Sequence, residues 1–265
     1  MLNHEILGIC QDVSSFGFPL DGILLTGSQS TGLADLDSDV DILALSHAPL
    51  EWRKFYRAGN YDVDLFVSSI KNVERLLIAH RQPIVQIVAF STVIRDNSGA
   101  TRELRRLAQE IYSIGPRAPE PTWILTQRHR LVTVLDDCAS CGKANPNAAL
   151  LMMCAELKLL SDMYLGTVGK WNVAEKHIFL TIAEMNLSLA SLFRDVSSAD
   201  LSFSDRLNAF RDLLEIVLHP FGGLLRYFET PRPSQYIDVD EWAIDDEDDV
   251  VILARGSSDD KAIAD

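Results

Sequence analysis

Three short apolar runs in the first part of the chain, each next to small or acidic residues, constrain the fold most. They cover 23–25, 42–45 and 65–67 and adjoin Thr26-Gly27-Ser28, Ser38-Asp39-Val40-Asp41 and Asp62-Val63-Asp64. Apolar runs this short, bounded by polar residues, are typical of buried strands. We therefore expect a sheet whose strands deliver the carboxylates to one end.

The two carboxylates of the Asp39-Val40-Asp41 segment point the same way. Side chains alternate along a strand, so Asp39 and Asp41 share a face, with Cα atoms about 6.6 Å apart. If the strand of Asp64 lies alongside, a third carboxylate joins them. Unit like charges about 4 Å apart repel by roughly 4 kcal/mol at an effective dielectric near 20. Such a cluster requires cations.

Hard carboxylate oxygens suit Mg²⁺ or Mn²⁺ better than zinc. A pair of divalent ions about 3.5–4 Å apart can hold the attacking and leaving oxygens of a phosphoryl displacement. Gly27 permits close approach of the backbone, and the Ser28 hydroxyl and following amides can donate to phosphate oxygens. The segment therefore predicts two magnesium ions, or manganese, and a nucleoside triphosphate.

Other interpretations of the same residues fare differently. A calcium loop starting at Asp35 would need glycine where Val40 stands and glutamate where Ser46 stands. A P-loop is excluded because no Lys-Ser or Lys-Thr follows the glycines at the required spacing. An acidic strand edge that is merely solvated remains an alternative.

The order Gly27-Ser28, Asp39-Val40-Asp41 and Asp64-Leu65-Phe66-Val67 resembles the nucleotidyltransferase signature of the DNA polymerase beta superfamily, which includes aminoglycoside-modifying and minimal bacterial members. The resemblance implies that Gly27 and Ser28 contact the triphosphate and that Asp39 and Asp41 bind metal. It also implies that Asp64 is the third catalytic carboxylate, which helps to hold the metal as a ligand or accepts the proton of the acceptor. Asp62 is the rival for that third role. Asp64 is preferred because apolar strand residues follow it directly.

The layout predicts an α+β chain, in which a small mixed-sheet nucleotidyltransferase domain is followed by an α-helical bundle domain. The predicted domains are 1–99, 100–237 and an acidic tail at 238–265. Predicted strands cover 22–26, 39–45 and 61–67, with a loop holding Trp52 and Tyr56. The predicted helices cover 2–14, 69–80, 100–113, 122–142, 146–165, 173–194 and 203–228. This order also resembles bacterial nucleotidyltransferases with an appended helical domain.

Composition restricts the class of protein. The chain has 265 residues and 47% hydrophobic residues, ample for a core. It lacks an apolar run of about 18 or more and a signal-peptide start, so a cytoplasmic protein is expected. The net charge is −14, and the last 28 residues hold eleven acidic and two basic residues. The sequence has no dense basic stripe, so it gives no strong signal for nucleic-acid binding. It does not decide between a monomer and a homodimer.

The predicted helical half holds the candidates for the rest of the site. Lys170 and Lys176, in a patch that looks shared with those relatives, could reach a triphosphate across a cleft or could belong to a solvated turn. Asp136, Asp137 or Glu156 is a candidate general base, as in antibiotic-modifying relatives.

Three hypotheses about function follow. The leading one is a metal-dependent enzyme that transfers a nucleoside monophosphate, with AMP expected, from ATP or another nucleoside triphosphate. The acceptor is a hydroxyl of a small molecule such as an aminoglycoside, and pyrophosphate is released. A polycationic acceptor would be drawn to an acidic surface. The alternatives are a toxin-like or regulatory enzyme that modifies a protein or RNA, and a non-catalytic nucleotide-binding module.

Overall fold

A computed structural model describes residues 4–35 and 38–228. In these ranges a five-stranded sheet is followed by a run of packed helices, which confirms the predicted α+β class. The strands are β1 (Leu20–Leu25), β2 (Val40–Ser46), β3 (Glu51–Ala58), β4 (Tyr61–Ser69) and β5 (Thr92–Asp96), in the spatial order β3-β4-β2-β1-β5. β2 and β4 are parallel and the other neighbours antiparallel, so the sheet is mixed.

Helices cover both faces of the sheet. The helices of this part are α1 (His4–Asp12), α2 (Gly27–Thr31), α3 (Ile70–Ile78), α4 (Gln82–Ala89) and α5 (Ala100–Ile114). On one face α1 packs against Ile42 and Leu65, and on the other α3, α4 and α5 bury Leu24 and Leu43. Because successive residues of a strand face opposite ways, Asp41 and Asp64 share the second face with Leu43.

The remaining helices pack around a core of their own. They are α6 (Pro121–Cys141), α7 (Pro146–Thr167), α8 (Ile178–Met185), α9 (Leu187–Ser197) and α10 (Phe203–Leu218). Their buried side chains include Leu131, Met153, Phe193 and Phe210, each fully inaccessible to solvent. This part is therefore a helical bundle of the kind that the sequence predicts.

A tryptophan joins the segment after α7 to the sheet part of the molecule. Trp171 is buried in the same core as Leu24, its ring stacks on Tyr112 with centroids 5.6 Å apart, and its Nε1 donates to the Tyr112 carbonyl oxygen at 2.9 Å. α5, which follows the predicted boundary at residue 99, also packs on the sheet through Leu104 and Ala108. The boundary itself stays a prediction.

Four local predictions were wrong. The segment around Trp52 and Tyr56 is the edge strand β3, and it turns into β4 through Gly59 and Asn60. α4 and β5 were not predicted at all. The helix predicted over 173–194 is interrupted at Asn186, whose side chain accepts from the Leu189 N–H and caps α9. The last predicted helix ends at Leu218, ten residues early, ahead of two glycines with positive φ.

The described helices include none that is long and apolar enough to span a bilayer. The acidic tail predicted for 238–265 lies outside the described residues.

The bundle contains a buried ion pair that gives a test of its packing. Glu156 on α7 has a side chain only 9% exposed, and both its oxygens accept from the Arg130 guanidinium on α6, one at 2.7 Å. We expect Glu156→Gln to lower the free energy of unfolding by about 1–3 kcal/mol, because the two charge-assisted hydrogen bonds that the buried carboxylate accepts from Arg130 are weakened or lost. Urea denaturation measures this.

An exposed ion pair supplies the matched control. Glu110 pairs with Arg106 along α5, and its side chain is 56% exposed. Glu110→Gln should change the free energy of unfolding by no more than about 0.5 kcal/mol. Equal losses of unfolding free energy in the two variants would show that burial does not increase the contribution of the Arg130–Glu156 pair to stability.

Candidate active site

The carboxylates of Asp41 and Asp64 lie side by side on neighbouring parallel strands. Asp41 of β2 is in register with Asp64 of β4, and neighbouring strands are about 4.8 Å apart. Asp39 is exposed and comes directly before β2. The strand of Asp64 thus lies beside that of Asp41, the condition under which the sequence predicts a three-carboxylate cluster. Asp62, the rival acid, is instead opposite Arg57 on β3.

The environment of Asp41 disfavours its charge. Burial, then the negative charges of Asp39 and Asp64, raise the pKa of Asp41 from 3.8 to about 6, against the opposing effect of Arg53 and Lys176. Two carboxylates acting on a partly desolvated third produce this direction of shift. A bound cation would relieve the same repulsion.

A glycine turn closes over Asp41. The Thr26 N–H donates to the Asp41 carbonyl oxygen at 2.9 Å, and Gly27 follows with φ +63° at the start of α2. A Cβ at Gly27 would lie 2.0 Å from Asp41 Oδ2. Only glycine fits here, because the backbone is left-handed and the carboxylate fills the space of a side chain. The turn therefore holds Gly27 directly beside Asp41, and Ser28 follows it in the chain.

The structure adds an arginine that the sequence analysis missed. Arg53 of β3 binds both oxygens of Asp64, with Nε to Oδ1 at 3.0 Å and Nη2 to Oδ2 at 2.7 Å. Its guanidinium lies 4.3 Å from the Phe55 ring centroid and 4.2 Å from that of Phe66. The sequence holds only a weak signal for this strand, an imperfect alternation of apolar and polar residues over 51–58.

The two lysines differ. The charge of Lys176, in a 3-10 turn at Glu175–His177, lowers the pKa of Asp41, so this ammonium acts on the site from 135 residues further along the chain. Within the described part of the chain, Lys170 is not among the charges that act on Asp41. Its N–H donates to the Leu165 carbonyl oxygen at 2.8 Å where α7 ends. A role for either lysine with a nucleotide stays a prediction.

Two of the three candidate general bases in the bundle, Glu156 and Asp136, are engaged in ion pairs, while Asp137 is exposed on α6. Both oxygens of Glu156 accept from Arg130, and Asp136 pairs with Arg226, with Nη2 to Oδ1 at 3.2 Å. A proton acceptor has to reach the proton that it removes, so these pairs would have to open first.

The donor set suits a hard divalent cation at Asp39 and Asp41. The carboxylates of Asp39 and Asp41, two residues apart where β2 begins, offer oxygen ligands to Mg²⁺ or Mn²⁺. A bound cation would also oppose the effects of burial and of the Asp39 and Asp64 charges, which raise the pKa of Asp41. No group of three or more His, Cys, Asp or Glu side chains able to hold a metal ion occurs in 4–35 or 38–228. At this place the oxygen donors are therefore the carboxylates of Asp39 and Asp41, because Asp64 is bound by Arg53.

The raised pKa of Asp41 predicts a pH-dependent stability. Between about pH 4 and pH 6 the folded chain binds a proton that the unfolded chain has lost, so the free energy of unfolding falls as pH rises through this window. Asp41→Asn removes the penalty. Without divalent cations, the variant should have a higher urea midpoint than the native chain at about pH 8, and the difference should shrink towards about pH 4.

Asp12→Asn is the control for this titration, because Asp12 is an exposed acid at the end of α1, on the opposite face of the sheet. Its urea midpoint at the same two pH values gives the baseline for removing a carboxylate that lies away from Asp41. A native chain that is more stable than Asp41→Asn at about pH 8 would contradict the assigned repulsion.

Comparison with known proteins gives a distant likeness. No family model matches the chain, and no curated protein matches it. Among solved structures, it is similar to the crystal structure of a nucleotidyltransferase-like protein from Exiguobacterium sibiricum 255-15. The TM-score is 0.48 at 16% sequence identity, over 82% of this chain and 74% of the other.

Proposed function

We propose that this chain is a nucleotidyltransferase that moves a nucleoside monophosphate, with AMP expected, from a nucleoside triphosphate to an acceptor hydroxyl. The observation that carries the proposal is the meeting of Asp39, Asp41 and the Gly27 turn at one end of β2. Carboxylates with uncompensated charge next to a turn open to phosphate are the two parts that a cation-bound triphosphate requires.

Each residue has a definite task in this proposal. Asp39 and Asp41 would hold a magnesium ion, which when bound neutralises triphosphate charge and stabilises the charge that develops during in-line displacement. The Gly27-Ser28 turn would donate its N–H groups and the Ser28 hydroxyl to phosphate oxygens. The Lys176 ammonium, already close enough to influence Asp41, would attract the same phosphates.

The bond changes are those of nucleotidyl transfer. The acceptor oxygen attacks the α-phosphorus, the bond from that phosphorus to the bridging oxygen of the β-phosphate breaks, and pyrophosphate leaves. The proton of the acceptor hydroxyl passes to a base or to water. The chain contributes positioning and electrostatic stabilisation, as is usual for phosphoryl transfer.

For the acceptor we propose a small hydroxylated molecule such as an aminoglycoside. The chain has a net charge of −14, which favours the approach of a polycationic ligand over that of a polyanion. The alternative acceptors are a protein and an RNA end. Incubation with magnesium and nucleoside triphosphates labelled at the α-phosphate distinguishes them, because the label moves to the aminoglycoside, to a protein band or to RNA.

A second candidate function is nucleotide binding without transfer. The Arg53–Asp64 pair favours it, since Asp64 is then not free to assist the reaction. Such a module would bind a triphosphate tightly and release no pyrophosphate in the presence of magnesium and any of the acceptors. Pyrophosphate release that depends on Asp41 would exclude it.

A further inference from the structure

The Arg53–Asp64 pair has the geometry of a permanent part of the site. The guanidinium meets the carboxylate side-on, with one hydrogen bond to each oxygen, which is the strongest arrangement for these two groups. The Asp64 side chain is 9% exposed and that of Arg53 29% exposed. Because the two side chains are largely shielded from solvent, salt and water screen their attraction weakly. Removing one partner would leave the other charge unpaired and would lower the stability of the fold.

Aromatic rings on two strands hold Arg53 in place. Phe66 of β4 is directly opposite Arg53 in the antiparallel register, and Phe55 is two residues along the same strand. Both rings lie within cation–π distance of the guanidinium. The next pair along these strands, Arg57 with Asp62, has side chains that are 65% and 73% exposed. Arg53 is therefore fixed in a way that Arg57 is not.

Charge counting at the site limits how many cations it can take. Asp39, Asp41 and Asp64 carry three negative charges when ionised. The guanidinium of Arg53 and the ammonium of Lys176 both act on Asp41 and offset part of that charge, so one divalent ion is enough to balance the rest. A second divalent ion at Asp64 would lie beside a guanidinium that is 2.7 Å from the same carboxylate. The ion and the guanidinium are both positive, and at so short a distance in a partly buried place they would repel each other strongly.

We propose that Arg53 is the resident counter-cation of Asp64, so that the site takes one divalent ion, at Asp39 and Asp41, in place of the two predicted from the sequence. Asp64 is then a positioning residue that holds Arg53 beside Asp41, and it is not a metal ligand. The inference rests on the proposed function, because it concerns the cation of that same site.

Counting bound Mn²⁺ tests the inference independently of activity. The free ion gives a sharp electron paramagnetic resonance signal that is lost on binding, so a titration of the full chain without nucleotide yields the number of sites. The native chain should bind one Mn²⁺, and Asp39→Asn or Asp41→Asn should weaken its binding at least about tenfold. Arg53→Gln should bind two, because Asp64 is released to act as a ligand.

Two further variants keep the test decisive. Arg53→Gln with Asp64→Asn leaves no unpaired charge and should bind one Mn²⁺ even if Arg53→Gln alone folds poorly. Arg57→Gln, on the same strand and face, should bind one like the native chain. Two ions in the native chain, or only one in folded Arg53→Gln, would overturn the inference and leave the proposed function standing. No Mn²⁺ in the native chain would instead contradict the cation site of the proposed function, and the inference with it.

Discussion

Replacing Asp41 with asparagine should lower the rate of nucleotidyl transfer by about 10²–10³-fold. The change removes a negative charge that holds the cation, and the cation is what stabilises the charge on the reacting phosphates. That loss corresponds to roughly 3–4 kcal/mol of transition-state stabilisation. Asp39→Asn should have an effect of the same order. Initial rates of pyrophosphate release, at saturating triphosphate and magnesium, measure both.

The loss should not come from unfolding. Asp41→Asn removes a repulsion in the folded chain. At neutral pH its far-ultraviolet circular dichroism spectrum should match that of the native chain, and its urea midpoint should be equal or higher. Asp12→Asn is the matched control for charge and should keep the native rate. An Asp41→Asn variant that retains most of the activity would remove Asp41 from the mechanism.

Gly27→Ala should also lower the rate of transfer strongly, by a steric route. The new methyl group would lie 2.0 Å from Asp41 Oδ2, so the carboxylate or the turn has to move. The left-handed backbone at φ +63° adds a cost of about 1–2 kcal/mol to folding. We expect a lower urea midpoint, a rate of pyrophosphate release reduced by about 10²-fold or more, and weaker triphosphate binding.

Gly32→Ala separates the steric effect from the backbone effect. Gly32 ends α2 with φ +74°, and no atom lies within 4 Å of a Cβ built there. Its substitution should therefore cost a similar amount of stability while transfer continues at close to the native rate. If both alanine variants lose activity equally, the close approach of Gly27 to Asp41 is not what matters.

The central strands of the site were predictable because their signal is local. β2 and β4 are short apolar runs, and an acid two residues from another acid on a strand has to share its face. The parallel register that sets Asp41 beside Asp64 could not be predicted from the sequence, because pairing between strands depends on the whole sheet.

The cationic partners of the site were harder to predict. Arg53 belongs to an edge strand whose side chains are mostly half-exposed, so its hydrophobic alternation is weak and the segment was assigned to a loop. Lys176 was a candidate, but its influence on Asp41 depends on how the segment around Trp171 packs on α5. Contacts between positions so far apart follow from packing, which local patterns do not encode.

Helix boundaries failed where a single residue overrides a continuous apolar pattern. The periodicity from 173 to 194 runs across Asn186, yet its side chain caps α9 and starts a new helix. α4 and β5 are short and were passed over between longer predicted elements, although both belong to the sheet part and β5 forms its second edge.

The most direct test of the proposed function is release of pyrophosphate from each of the four ribonucleoside triphosphates with magnesium, in the presence of an aminoglycoside mixture, RNA or a protein extract. The account predicts that at least one combination releases pyrophosphate together with transfer of the α-phosphate label to the acceptor, and that Asp41→Asn lowers the rate of both by about 10²-fold or more. Absence of release in every combination, or release that is unchanged in Asp41→Asn, would contradict it.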